Sequence, residues 1–367
     1  LGYLSRAEAK ARFAPNPSPV AAPGPAPVSA AAYSAKALSV NTAEPLADPR
    51  VSDMYQPFGG YTYGPTGELA VAVGVPGTAG EKIGREIWVY TQTGKRLVIG
   101  GAGEASWPAW SPDGQKLAYD FRPAGSATSE IWLAAADGTG RRQLSRDSAG
   151  SHAYLVWSPD GKRLASVVRD YRTGTAGVSV LNVETGASTA LTTSNLESFS
   201  DLAWSKDGRK LLLASEVAGV NPRSTLKLIE VAGKTVAELL PKSDRGVNDH
   251  PRWSPDGREI AFSSNRSGQR QIWVVRADGA NLRQLTTGDE PKDYPTWSAD
   301  GRILLYLAGR NGLGNLWVSD AGGGEGVQLT SSGRISGRAE WAPDGKRLVF
   351  TKREQSQQLW TATLATK

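Results

Sequence analysis

Six stretches of this chain repeat one short pattern, a tryptophan followed by a Ser-Pro-Asp-Gly-like turn and a run of apolar residues. The pattern is clearest in WSPDGREIAFSS, residues 253–264. The copies begin at Trp110, Trp157, Trp204, Trp253, Trp297 and Trp341, and successive copies lie 47, 47, 49, 44 and 44 residues apart. A period of about 40–50 residues with strand-like content is typical of a propeller built blade by blade. The sequence therefore predicts an all-β protein, a β-propeller with four antiparallel strands in each blade.

The Ser-Pro-Asp-Gly segment has the residues that a tight turn between two strands requires. Pro255 fixes φ early in the turn, Gly257 adopts positive φ without steric cost, and Asp256 accepts hydrogen bonds from nearby backbone amides. The aspartate therefore recurs for the chemistry of the turn and is predicted to be structural rather than catalytic. This structural role is predicted for the turn aspartates Asp113, Asp160, Asp207, Asp256, Asp300 and Asp344.

The pattern resembles the propeller of the TolB family, whose WD-like repeats read Trp-Ser-Pro-Asp-Gly before a short apolar strand. The resemblance covers roughly residues 58–367 and concerns the propeller part only, without the N-terminal α/β domain of TolB. It implies an exported protein, periplasmic or extracellular, whose partners are lipoproteins or translocation machinery at the bacterial cell envelope. The propellers of prolyl-oligopeptidase-type peptidases, tricorn-like proteases and oligogalacturonate lyases share such blades.

A degenerate repeat precedes the six clear ones. In YTYGPTGELAVAV, Tyr63 lies 47 residues before Trp110, and Gly-Pro-Thr-Gly replaces Ser-Pro-Asp-Gly. Counting this repeat predicts seven blades, whereas the alternative, as in TolB, is six. The last repeat ends after its third strand, so a strand near the N-terminus is expected to complete that blade and close the ring. The candidate for this strand is residues 36–40.

The first 35 residues differ in composition from the rest and are predicted to form an N-terminal tail, with the propeller over residues 36–367. Residues 1–13 are predicted to form a short basic amphipathic segment whose apolar positions are Tyr3, Leu4 and Phe13. Residues 14–32 are rich in Pro and Ala, which indicates an extended polyproline-type spacer. The tail is interpreted as a tether to a larger assembly, and the alternative is a passive linker left after export.

Composition narrows the classes of partner. The net charge of +6 and the pI near 9.4 come from Lys and Arg that are scattered over the turns among acidic residues, so no nucleic-acid partner is predicted. No run of about 18 apolar residues is present, so no membrane span is predicted. The absence of cysteine excludes disulfides and thiolate metal sites. Because the chain begins at Leu1 rather than Met, an export signal is expected to have been removed.

One tryptophan does not fit the repeat, which places tryptophan at the turn and in an Ile-Trp or Leu-Trp pair of the third strand. Trp107 lies three positions before Trp110, in an innermost strand, and these strands all begin at one mouth of the central channel. The predicted partner-binding residues at this mouth are Trp107, Tyr154, Asp201, Asp249, His250, Asp293, Tyr294 and Arg338. Aromatic residues and arginine are enriched at binding surfaces, and the alternative is ordinary variation near loops.

The residues give little support for catalysis. Neither a Gly-x-Ser-x-Gly elbow nor a Walker loop occurs in the sequence. His250, Asp249 and Asp293 are the one set of metal ligands to consider, but a surface histidine with satisfied hydrogen bonds is favoured. We therefore expect a non-catalytic scaffold that has no metal or cofactor and binds a protein or peptide. A partner that belongs to a membrane-associated assembly is included in this expectation. The alternative is a carbohydrate-binding or lyase-like propeller whose aromatic residues stack on sugar rings.

Overall fold

The structure, a computed structural model, describes residues 35–46, 60–75, 84–101, 103–146, 150–170, 172–194, 197–217, 223–241, 244, 246–353 and 357–366. The predicted tether residues Tyr3, Leu4 and Phe13 lie outside these ranges. The described residues begin with a short 3-10 helix, Ala35–Ala37, which strand β1 (Leu38–Pro45) follows. No helix in these ranges has the length and hydrophobicity that crossing a membrane requires.

The described strands form seven four-stranded sheets, and the first four of these blades follow one another along the chain. Blade 1 contains β2 (Tyr61–Tyr63), β3 (Leu69–Val75), β4 (Gly84–Thr91) and β5 (Gly94–Ile99). Blade 2 contains β6 (Gly103–Trp110), β7 (Lys116–Pro123), β8 (Glu130–Ala135) and β9 (Arg142–Gln143). Blade 3 contains β10 (Ser151–Trp157), β11 (Arg163–Asp170), β12 (Thr175–Asn182) and β13 (Ser188–Ser194). Blade 4 contains β14 (Glu197–Trp204), β15 (Lys210–Val217), β16 (Arg223–Glu230) and β17 (Thr235–Glu238).

The remaining three blades complete the ring. Blade 5 contains β18 (Asn248–Trp253), β19 (Glu259–Ser267), β20 (Gln269–Arg276) and β21 (Arg283–Gln284). Blade 6 contains β22 (Lys292–Trp297), β23 (Ile303–Arg310), β24 (Leu313–Asp320) and β25 (Val327–Gln328). Blade 7 contains β26 (Ile335–Trp341), β27 (Arg347–Arg353), β28 (Gln357–Thr366) and β1. Neighbouring strands within each blade are antiparallel, and short bridges also link blade 1 to blade 2 and blade 6 to blade 7. The prediction of an all-β, seven-bladed propeller is confirmed.

The first and last described strands pair and so complete blade 7. β1 lies antiparallel to β28, from Leu38 opposite Thr366 to Pro45 opposite Trp360. The predicted closing segment, residues 36–40, overlaps this strand but is displaced, since Lys36 belongs to the 3-10 helix and the strand continues to Pro45. Its second half is polar and exposed. An outermost strand is held mainly by backbone hydrogen bonds and not by buried side chains. The pattern of apolar residues therefore does not show where such a strand ends.

The hydrophobic core is divided into seven clusters of described residues, one at each interface between successive blades. The cluster that joins the ends of the ring contains Tyr61 and Val71 of blade 1 with Val349 and Leu359 of blade 7. At the same interface the Tyr61 hydroxyl donates a hydrogen bond of 2.6 Å to the Arg338 carbonyl. The repeat therefore yields seven small cores rather than a single central one.

The tryptophans before the turns of blades 2 to 7 pack in the cluster shared with the preceding blade, and three of them also donate a hydrogen bond to that blade. The indole N–H of Trp157 donates to the Ala109 carbonyl at 2.9 Å, and that of Trp297 donates to the Arg252 carbonyl at 3.1 Å. Each acceptor lies next to the corresponding tryptophan of the preceding blade. Trp297 is 8% exposed, so its ring fills the interface while its only polar atom is satisfied.

The turn aspartates have their hydrogen-bond partners within the turn itself. In five blades the preceding serine hydroxyl donates to the aspartate at 2.5–2.6 Å. The same carboxylate accepts from the backbone N–H two residues later, as Asp256 does from Arg258 at 3.0 Å. In blade 7, Ala342 replaces the serine, and Asp344 accepts from the N–H groups of Lys346 and Arg347. The aspartates with these turn contacts are Asp113, Asp160, Asp207, Asp256, Asp300 and Asp344.

Candidate functional site

The innermost strands of six blades share a bulge near the channel mouth, where pairing with the second strand breaks register. In five of these bulges one residue other than glycine has a left-handed backbone. These residues, with φ between 52° and 56°, are Trp107, Tyr154, Asp201, His250 and Tyr294. A bulge of this kind redirects a side chain from the face that strand alternation would give it. Five of the predicted mouth residues therefore share one backbone geometry and differ only in the side chain that it carries.

The bulge of blade 7 differs from the others by one residue. Three residues separate the flanking pairs at Ser336 and Glu340, whereas two do so in blades 2 to 6. The left-handed position is consequently Gly337, with φ of 69°, and Arg338 follows it. Counting back from Trp341, which identified Arg338 in the sequence, therefore reaches the residue after the left-handed one. Arg338 nevertheless contacts the same group of side chains.

Two aromatic pairs form between mouth residues of adjacent blades. The rings of Trp107 and Tyr154 have centroids 4.7 Å apart, and those of His250 and Tyr294 are 4.1 Å apart. Both pairs are tilted, with interplanar angles of 44° and 40°. The redirected side chains thus contact each other around the channel and present aromatic surface at its mouth.

Asp201 connects blades that are not neighbours. Its carboxylate lies 3.0 Å from Arg252 Nη2 of blade 5 and 3.7 Å from Arg338 Nη1 of blade 7. Blade 4, which carries Asp201, and blade 7 share no interface, so the second contact must cross the channel. Arg338 also lies 3.5 Å from Glu340. The side chains of Asp201 and Arg338 therefore form an ion pair across the channel at its mouth.

His250 belongs to a partly buried polar network between blades 5 and 6. Its Nδ1 lies 2.7 Å from Asp293 Oδ1, which also accepts from the Ser263 hydroxyl at 2.6 Å. Arg270 pairs with both Asp249 and Asp293. Burial raises the pKa of the Asp293 carboxyl, but His250 and Arg270 outweigh burial and hold it at about 2. Burial lowers the pKa of His250, whereas Asp201 and Asp293 raise it to a greater extent.

The three residues that the sequence offered as metal ligands, His250, Asp249 and Asp293, all belong to this network. Asp249 and Asp293 both bind the Arg270 guanidinium, and Asp293 also binds the His250 imidazole. Among the described residues, no three His, Asp or Glu side chains are arranged to hold a metal ion. A cavity of about 290 Å³ lies beside this network and is lined by Arg270, Asp293, Tyr294 and Asn311, among others. The site thus offers hydrogen-bonding groups and aromatic faces beside a cavity of small-ligand size.

Sequence reasoning missed three charged residues of the site. Arg252 and Glu340 directly precede the turn tryptophans, and Arg270 lies at the start of a third strand. The first two carry a signal, because Ala, Val and Thr occupy the equivalent position in the other blades and charge there is unusual. Arg270 carries no such signal, since its partners Asp249 and Asp293 come from two other strands.

Comparison with known proteins places the fold. Residues 221–367 match the family model described as the TolB beta propeller domain. The chain carries a TolB-like β-propeller. It is 51% identical over 37 residues to the Tol-Pal system protein TolB of Syntrophus aciditrophicus, a match that covers 10% of this chain and 8% of that protein. The curated relatives are matched over short segments, no more than 14% of their own length in the first three.

Solved structures show the same architecture over most of the chain. TolB from Acinetobacter baumannii superposes with a TM-score of 0.51 and 17% identity, over 81% of this chain and 80% of that one. An oligogalacturonate lyase in complex with manganese superposes with a TM-score of 0.66 and 16% identity, over 83% of this chain and 88% of that one. At such low identity these likenesses establish the fold alone.

Proposed function

We propose that this TolB-like propeller is a non-catalytic scaffold of the bacterial cell envelope that binds a protein or peptide at the channel mouth. The observation that carries the proposal is the set of five left-handed bulge residues, none of them glycine. A left-handed backbone costs other residues of the order of 1 kcal/mol or more, a cost that glycine avoids. Gly337 occupies this position in blade 7, so glycine is compatible with the bulge. The side chains of the other five are therefore better explained by binding than by folding.

The composition of the mouth supports a protein ligand. Its aromatic pairs and the arginines beside Asp201 are the residue types that anchor protein interfaces. The location in the envelope, periplasmic or extracellular, is part of the proposal, and the likeness to the Tol-Pal system protein TolB supports it.

The experiment compares the immobilised full chain with two variants in binding proteins from an envelope extract of the source bacterium. Trp107→Gly combined with Tyr154→Gly removes one aromatic pair from the mouth. Val236→Ser, at an outer-strand position that is 44% exposed, is the matched control. A partner should bind the native chain and the control but not the double variant. The purified partner should then bind the native chain and the control with similar affinity and the double variant more weakly. Equal binding by all three chains would contradict the proposal.

A second candidate is a carbohydrate-acting propeller, which the aromatic mouth and the His250–Asp293 pair favour. A lyase that cleaves an oligogalacturonate by elimination creates a carbon–carbon double bond, which absorbs ultraviolet light. The native chain and His250→Gln are incubated with oligogalacturonate and Mn²⁺, and absorbance is followed. Turnover that the substitution abolishes would favour this candidate over the scaffold. No increase in absorbance would remove oligogalacturonate lyase activity from consideration.

A further inference from the structure

Blade 3 departs from four other blades at one pair of positions. In blades 2, 5, 6 and 7 a buried ring of the second strand lies opposite a tryptophan of the third strand. These pairs are Tyr119–Trp132, Phe262–Trp273, Tyr306–Trp317 and Phe350–Trp360. The rings pack in the cluster shared with the preceding blade. In blade 3 the corresponding pair is Ser166 and Ser179, so two large aromatic side chains are missing from the interface with blade 2.

A cavity of about 230 Å³ lies at this interface. His152 and Ser179 of blade 3 and Ser145, after the last strand of blade 2, line its buried part. Ser188 and Ala190 on the outermost strand also line the cavity and are exposed, so it opens to solvent there. One water takes up about 30 Å³ in the liquid, so the cavity has room for a small organic molecule.

The polar groups at this cavity are held in place by one another. His152 Nδ1 lies 3.1 Å from Ser166 Oγ, which in turn lies 3.2 Å from Ser179 Oγ. The Ser145 hydroxyl donates to Glu130 and accepts from the Ile131 N–H at 2.9 Å. A ligand would meet hydroxyls and an imidazole that are already ordered, which reduces the entropy lost on binding.

The lining selects among classes of ligand. Its described lining combines serine and threonine hydroxyls with the aliphatic side chains of Val168 and Ala190, and it includes the carboxylate of Asp170. The described residues that line it include no Lys or Arg, so an anion lacks a cationic partner. A purely apolar ligand would leave the hydroxyls without partners, which is unfavourable. A neutral ligand with several hydroxyls on a carbon ring can form hydrogen bonds with the polar groups and pack its carbons against the aliphatic side chains.

Asp170 supplies the strongest acceptor. Its side chain is 14% exposed, and its Oδ1 accepts from the Arg172 backbone N–H at 2.9 Å. The exposed Arg172 guanidinium also lies 3.3 Å from Oδ1 and 3.4 Å from Oδ2, so a ligand hydroxyl would share this carboxylate with it. A carboxylate forms charge-assisted hydrogen bonds with hydroxyl donors, which are stronger than those between neutral groups. We propose that the cavity between blades 2 and 3 is a binding site for one neutral saccharide unit. Its ring hydroxyls would meet Asp170 and the serine and threonine hydroxyls, and its ring carbons would meet Val168 and Ala190.

The test titrates the full chain with glucose, galactose and N-acetylglucosamine, followed by saturation-transfer NMR and calorimetry. Inorganic phosphate serves as the anionic comparison. At least one sugar should bind saturably with a Kd of about 1 mM, the affinity expected for a ligand of this size, and phosphate should not. Absence of saturable binding by every sugar would overturn the proposal.

Variants locate the binding. Ser166→Phe with Ser179→Trp reproduces the Phe350–Trp360 pair of blade 7 and should abolish sugar binding while the melting temperature is maintained. Asp170→Asn should weaken binding about tenfold by removing the charge from the acceptor. Asp278→Asn, on an exposed turn, should leave the affinity unchanged. Binding that survives in the filled cavity would overturn the assignment. If the double variant does not fold, equal affinity of Asp170→Asn and Asp278→Asn would do so.

Discussion

The two ends of the innermost strands follow opposite rules. At the turn end, one tryptophan and one Ser-Pro-Asp-Gly-like segment recur in six blades. Each of these tryptophans packs in the cluster shared with the preceding blade, and Trp157, Trp204 and Trp297 also donate to a backbone carbonyl of that blade. At the mouth end, the same left-handed backbone recurs in five blades while its side chain changes from indole to phenol, carboxylate and imidazole. The comparison separates the turn-end residues, which hold the blades together, from the mouth-end residues, whose side chains differ between blades.

The physical reason for the difference is what each end contacts. Trp297 packs between two blades and donates to a fixed backbone carbonyl, so any other side chain would lose both burial and a hydrogen bond. The mouth side chains contact other side chains, as Trp107 contacts Tyr154. Trp107, Tyr154 and Tyr294 also lie against the clusters between blades, but they are only half-buried, so we expect substitution there to cost less stability than substitution of Trp297.

Trp297→Ala tests the turn end and should have the largest effect. Deleting a buried aromatic side chain costs about 3–5 kcal/mol, and here the Arg252 carbonyl also loses its donor. Urea unfolding of the two chains measures the difference. A loss below about 1 kcal/mol would mean that these tryptophans do not join the blades.

Gly257→Val tests the turn itself. Gly257 has a φ of 76°, which a β-branched residue resists, and the added Cβ would make only an ordinary contact with Lys206. We expect a loss of up to about 3 kcal/mol that comes from the backbone. Gly322→Val is the matched control, because Gly322 is outside the left-handed region and its added Cβ would meet nothing within 4 Å. Similar losses in both variants would show that turn geometry is not the cause.

The mouth end predicts a pH-dependent difference between the native chain and Asp293→Asn. The pKa of Asp293 is about 2 in the folded chain against an ordinary 3.8, so its stabilisation is present above about pH 4 and is lost as the pH falls towards 2. The pKa of His250 is raised above 6.5, so its contribution is present below that pH and is lost as the pH rises through the folded value.

Unfolding free energies measured from pH 2 to 9 should therefore differ most, by about 2 kcal/mol, between roughly pH 4 and 6.5. The exposed turn variant Asp278→Asn keeps the His250–Asp293 pair intact and provides the reference. A difference that is constant over this range would show that the His250–Asp293 pair does not titrate as its contacts indicate.

Trp107→Gly should have the smallest effect on stability. The half-buried ring loses its contact with Tyr154, but relief of the left-handed backbone returns about 1 kcal/mol, so the net change should lie within about 1 kcal/mol. Thermal and urea unfolding measure this change. A loss as large as that of Trp297→Ala would assign Trp107 to the core and remove the distinction between the two ends.

Much of the fold could be predicted from the sequence, because its signals lie within short segments. The Trp-to-turn spacing predicted seven blades, and the degenerate repeat at Tyr63 supplied the first of them. The closing strand was located less accurately, since its second half is polar and exposed. The mouth positions could be listed by counting from the turn, but the extra residue in β26, which places Gly337 at the left-handed position, could not be detected by counting.

The sequence by itself determined the unit, a short twisted sheet with a turn whose proline, aspartate and glycine act through bonds between near neighbours. Only the tertiary structure decided which distant residues meet. Asp201 reaches Arg338 because the ring brings blades 4 and 7 together across the channel, and Ser179 lines a cavity because no aromatic ring fills the interface there. Such contacts depend on closure of the ring and on how the blades pack, and no local pattern of residues encodes either.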